Sequence, residues 1–235
     1  ENAMCGFHSE PEAMREILHR IMDFQLGIAR HYLDLGVEMV SLSDDLGTQS
    51  GLLLSPALIK DFLVPEYRRL FALYKTNGVL VNFHSCGHIE PILDVFMQLG
   101  VDILNPVQAT ANNLHMVRSK TAGRMALQGG VSSGLIAAGQ IPAIREEVRR
   151  RIWQLGRDGG YFCGPDQGMP WPEAHIKALQ DAVAEFANTT GIPFFYSLLK
   201  HTCKILDMDF AFVGEVDEDK PNMVQTSAVY GRDRE

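Results

Sequence analysis

With 235 residues, 46% of them apolar, and a formal charge of -8, the chain can bury a sizeable core and has the balance of an ordinary soluble globular protein. Its Lys and Arg are scattered, which leaves no electrostatic footprint for nucleic acid or an anionic membrane surface; small molecules or proteins are the expected partners. No apolar run approaches the roughly 20 residues that span a bilayer and no signal-like segment opens the chain, so the cytoplasm is the expected location.

The chain opens ENAMCGFHSE, with no Met at position 1, and reads as a fragment that enters a helix directly. From Ser9 an acidic capped start leads into apolar residues at helical spacing (Ile17, Ile21, Phe24, Ile28), closed by Gly36. VEMVSLSDD is a short strand ending in Asp44 and Asp45. After the loop LGTQSGLLLSP, helical segments run to Tyr74. Asn77-Gly78 then turns the chain into a second strand, VLVNFHS. A helix from His88 to Leu99 stops at Gly100, and VDILNPV is the third strand. After a shorter helical stretch, RMALQGGV is the fourth, IREEVRRRIWQLG a helix, and GGYFCGPDQG the fifth strand with its exit loop. A helix from about Pro172 to Ala187 follows. Trp153 and Phe96 sit at helical spacing with other apolar residues and are expected in the core; REEVRRR reads as a solvated face.

Strands alternating with helices over short loops imply parallel pairing through right-handed crossovers. Each strand is apolar at its start and polar at its C-terminal end, as in a (β/α)8 barrel, whose active site lies on the loops after the strands. A doubly wound sheet would gather these residues at one crevice, and no Gly-rich phosphate fingerprint is present. The expected fold is therefore α/β: a partial (β/α)8 TIM barrel of about five C-terminal units over residues 1–190, its opening strands preceding this chain. Beyond Thr190 the pattern changes to an amphipathic helix, a strand DFAFVGEV, an acidic turn and a strand MVQTSAVYG. That is a short, incomplete α+β segment over 191–235.

His84 and Cys86, at i and i+2, can reach one point above the second strand's end. Imidazole and thiolate are preferred zinc ligands, and a catalytic zinc takes three protein ligands with one position open. Cys163, the remaining thiol at a strand end, is the third candidate by residue type. The competing reading is a small buried Cys beside a hydrogen-bonded His. Four cysteines at uneven spacing argue against a disulfide framework. Asp44 and Asp45 are the candidate acid, base or orienting groups, and one of them equally suits a loop cap. Gln49, Asn105, Gln108, Gln128, Asp166 and Gln167 lie at the same rim as candidate substrate-binding groups, turn formation being the alternative for several.

DDLGTQSGLLLSPALIKDFLVPEYRRLF, FHSCGHIEPILDVFMQLGVDILNPVQ and GGYFCGPDQGMPWPEAHIKALQDAV resemble, in order and spacing, the C-terminal part of the uroporphyrinogen decarboxylase (URO-D) superfamily, and especially its cobamide-dependent methyltransferase branch. The resemblance implies a zinc at His84 and Cys86 that activates a small thiol, with a methyl-corrinoid on a separate protein as methyl donor. In zinc-dependent members the last cysteine lies after the final strand, where this chain has Gln167, four residues past Cys163. The alternative within the superfamily is metal-free decarboxylation of a tetrapyrrole in porphyrin biosynthesis, which needs cationic groups to gather carboxylates. The tail from Phe194 resembles the start of a GAF-type sensory domain, which implies a third possibility, a ligand-sensing module without catalysis.

Overall fold

The structure, a computed structural model, describes residues 2–157, 159–187, 210–217 and 220–231. It opens on a helix that the sequence pattern missed, α1 (Asn2–Ser9), followed by α2 (Pro11–Asp34). Ser9 therefore ends one helix and does not cap the next. Pro11 at the first position of α2 suits its fixed φ, and Gly36, at φ 72°, closes the helix in the left-handed region. The stripe of α2 that packs inward is Met22, Leu26 and Ala29, whereas Ile17, Ile21 and Phe24 are 48%, 52% and 69% exposed.

Five parallel strands follow: β1 (Met39–Ser43), β2 (Leu80–His84), β3 (Ile103–Val107), β4 (Ala126–Val131) and β5 (Tyr161–Pro165). Between β1 and β2 run α3 (Pro56–Leu58), a π-helical stretch (Ile59–Leu63) and α4 (Val64–Thr76). A 3-10 turn (Glu90–Ile92) and α5 (Leu93–Leu99) connect β2 to β3, and α6 (Leu114–Thr121) connects β3 to β4. Next come α7 (Ser133–Ala138) and α8 (Ile141–Gly156), then β5 and α9 (Glu173–Ala187).

The strands stand in sequence order, β1-β2-β3-β4-β5, each parallel to the next. A doubly wound sheet reverses direction part-way; this one never does, so right-handed crossovers put every helix on the same face. That is the wall of a (β/α)8 barrel, here five strands of it. Farther along, β6 (Phe210–Asp217) and β7 (Lys220–Gly231) pair antiparallel, unlike any barrel unit. The helix expected before them lies outside the described residues.

Register decides which side chains share a face. Phe83, Leu104, Leu127 and Tyr161 pair in one row, and the first three are buried in the core under the helices. Phe83 is the centre of that core: its ring lies 5.6, 5.5 and 5.2 Å from those of Tyr67, Phe71 and Phe96. Such pairs add about 0.5–1.5 kcal/mol each beyond area burial. The alternate row, Ser43, His84 and Asn105, faces the barrel interior. At the opposite end of the strands Asp102 is bound to Lys75 at 2.7 and 2.6 Å and accepts the Val81 N–H at 2.7 Å.

Candidate metal centre

The loops after β1 and β2 cross with no room between them. An added Cβ on Gly87, whose φ is 83°, would lie 2.4 Å from Gly47 C and 2.6 Å from Thr48 O; one on Gly47 would lie 2.6 Å from Cys86 O. Both glycines are therefore obligatory. The crossing is braced on all sides. Gln108 Oε1 accepts the Gly87 N–H, and Asn112 Nδ2 donates to Gly87 O (2.9 Å) and Gln108 O (3.0 Å). Asn112 Oδ1 accepts from Ile89 N and Glu90 N, and Ser85 Oγ accepts from Leu46 N at 3.1 Å.

This frame brings Asp45, His84 and Cys86 together, with one ligand atom of each within 4.8 Å of the others. His84 Nε2 lies 3.3 Å from Cys86 Sγ and 3.5 Å from Asp45 Oδ1. On its other side His84 Nδ1 is 3.2 Å from Asn105 Oδ1. An amide oxygen only accepts, so Nδ1 carries the proton and the Nε2 lone pair points into the cluster. Asp45 Oδ1 accepts the Cys86 N–H at 2.9 Å, and Gln167 Nε2 donates to Cys86 Sγ at 3.0 Å. Burial holds the Cys86 thiol above its ordinary pKa; the Gln167 hydrogen bond pulls it back, and the Asp45 charge adds to the rise. A divalent ion bound at this point would replace the thiol proton. Imidazole, thiolate and carboxylate are a donor set compatible with zinc.

Other residues expected at the site go elsewhere. Cys163 faces the helix layer, packed against the cluster of Val131, Ile136, Ile144 and Val148, on the far side of the sheet from the His84 row. Strand alternation forces this, because Cys163 is two residues from Tyr161, which is also on the helix side. Asp44 accepts a hydrogen bond from Tyr67 Oη, which burial and then the Asp44 charge hold protonated well above the usual tyrosine range. Gln108 is a buried loop brace. Asp166 Oδ1 accepts from Ser133 N (2.9 Å) and Ser133 Oγ (2.6 Å), fastening the loop after β5 to the start of α7. Gln49 Oε1 accepts from Thr110 Oγ1 at 3.4 Å, while Gln128, in register with Phe162 on β5, stays on the barrel-interior row that also holds His84 and Asn105. Asn105 and Gln167 do reach the cluster.

Burial pushes the Cys163 thiol up to about 11, a rise that its Tyr161 hydrogen bond tempers. An unfolded thiol titrates near 8.5, so between these values the folded chain keeps a proton that the unfolded chain has lost. Stability from this group is complete below about pH 8.5 and is lost as pH rises through 11, an effect of about 3 kcal/mol. Urea midpoints measured from pH 8 to 11 should fall more steeply in wild type than in Cys163→Ala.

The sequence matches the family described as uroporphyrinogen decarboxylase (URO-D) over residues 1–186. The chain belongs to that family. Among solved structures it resembles a methyltransferase from Methanosarcina mazei, with a TM-score of 0.64 and 21% identity over 79% of this chain and 53% of that one. The chain thus spans about half the length of that protein, and the likeness is one of fold. No curated protein sequence matches it. Among the described residues no helix is long and apolar enough to cross a membrane.

Proposed function

We propose that this chain carries the zinc-binding half of a methyltransferase barrel that moves a methyl group from a methyl-corrinoid, presented by a separate protein, to a small thiol. The observation that carries the reading is the convergence of Asp45, His84 and Cys86, with His84 held by Asn105 in the tautomer that aims Nε2 at the other two. Zinc bound there would lower the pKa of a substrate thiol and hold it as thiolate in the open position. His84 and Cys86 bind through nitrogen and sulfur, and Asp45 supplies the third donor that Cys163 cannot. Asn105 fixes the imidazole, and Gln167 donates to the Cys86 sulfur and tempers its charge. The fold likeness to a methyltransferase is in keeping with this.

Decarboxylation of a porphyrinogen is the less favoured chemistry. It calls for cations around several carboxylates, whereas the loops after the five strands (44–55, 85–89, 108–113, 132 and 166–172) contain no Lys or Arg.

Metal analysis of the purified full chain tests the reading. Zinc should be stoichiometric in wild type and in Cys163→Ser, and absent from His84→Ala and Cys86→Ser. Wild-type protein that takes up no zinc from buffer containing it would sink the proposal. Asn105→Ala should keep the fold and weaken zinc about 10- to 100-fold in competition with a chromophoric chelator, because the ring loses its orienting acceptor.

A further inference from the structure

The arginines that are scattered in the sequence are gathered by the fold. Between α6 and α8, on the outer surface of the helix layer, lies a cavity of about 540 Å³ walled by His115, Arg118, Arg150, Arg151 and Arg157, with Trp153 among them. Trp153, expected in the core, is 38% exposed here, whereas Phe96 is fully buried.

Four guanidinium groups face one carboxylate. Glu147 is buried and spends its charge on Arg150 and, at 2.7 Å, on Arg151. The remaining α8 glutamate, Glu146, pairs with Arg149 outside the cavity, at 2.6 Å. Arg151 is consumed by structure: it also donates to Gly130 O at 3.0 Å and Gln154 Oε1 at 2.8 Å. Arg118 gives one N–H to Gly159 O at 2.7 Å, and Arg157 lies over the Trp153 ring, 5.1 Å from its centre. Each guanidinium has five N–H groups, so Arg118, Arg150 and Arg157 keep donors for a ligand. A second cavity of about 270 Å³ adjoins at Arg118 and adds Arg124 together with Asp102, whose carboxylate is bound by Lys75.

Crowding like charges on one face of a chain whose net charge is -8 costs self-repulsion that an anion relieves. The planar guanidinium fork matches the oxygens of a phosphate, and the Trp153 indole, with Arg157 over its ring, lines the same cavity with apolar surface. The volume falls within the roughly 300–1,000 Å³ usual for small-molecule pockets. We infer that the α6/α8 cavity binds a phosphate-bearing ligand of nucleotide size, of the class of nucleoside diphosphates. Its walls share no residue with the metal centre, so the two sites stand or fall independently.

Calorimetric titration of the full chain with ADP, and separately with inorganic pyrophosphate, tests this. ADP should bind saturably and more tightly than pyrophosphate, since only ADP carries a ring to lie against the apolar lining that Trp153 supplies. Arg118→Ala and Arg157→Ala should each weaken ADP about tenfold or more. Arg157 is exposed at the end of α8, so its variant serves if Arg118→Ala fails to fold. Trp153→Phe should keep a measurable heat while abolishing the ADP-dependent change in tryptophan emission. No saturable heat with either probe, wild-type affinity in Arg157→Ala, or tighter binding of a single-stranded oligonucleotide than of ADP would each overturn the inference.

Discussion

Gly87→Ala is expected to abolish metal uptake and to destabilise the fold by about 2–5 kcal/mol, from a left-handed backbone and overpacking combined. The new methyl would overlap the backbone of Gly47 and Thr48, at 2.4 to 2.6 Å, and neither is the end of a flexible side chain that could swing away. The loops must separate. Separation breaks the Asp45 to Cys86 N–H bond of 2.9 Å and the Gln108 and Asn112 bonds to Gly87. A urea midpoint read beside zinc content tests both halves. Alanine at Gly36, where an added Cβ meets nothing within 4 Å, is the control: it carries the backbone penalty alone, about 1–2 kcal/mol, and should retain its zinc. Full zinc binding in Gly87→Ala would mean that the loop crossing does not shape the centre.

Gln167→Cys is expected to raise zinc affinity by about two orders of magnitude, as a soft thiolate replaces an amide N–H. Gln167 Nε2 is already 3.0 Å from Cys86 Sγ. Cysteine is two bonds shorter, which sets its sulfur back by about 2 Å; two thiolates on one tetrahedral zinc stand roughly 3.8 Å apart. The Asp166 to Ser133 bonds hold the loop in place. Chelator competition measures the gain, and in cobalt-substituted protein the sulfur-to-metal charge-transfer absorption should grow. Unchanged affinity would show that this loop does not reach the metal.

What could be read from the sequence follows from how local each signal is. All five strands and the alternating helices were legible, because period-2 and period-3.6 patterns need only neighbours along the chain. His84 and Cys86 were paired because residues i and i+2 of a strand point to one side, and Asn105 was read only as a polar group at the same rim. The same rule, applied with register, excludes Cys163, but register becomes available only once Gly129 pairs with Cys163 and Leu127 with Tyr161. Asp45 and Asp44 look equivalent in sequence; Tyr67 takes one and the Cys86 amide the other, through contacts 23 and 41 residues apart. Asn112 was invisible for the same reason, since most of its bonds run to a loop more than 20 residues away. On α2 two apolar stripes lie side by side, and periodicity could not say which one turns inward.

The Lys75–Asp102 tie sits at the end of the strands away from the chemistry, and it grips the second amide of the strand that carries His84. Damage there lets the sheet fray from its base while the ligand-bearing tips are still held by their own loops. Melting temperature and metal occupancy should therefore part company among variants of this protein. Heat sensitivity alone is then a poor guide to which positions matter for turnover.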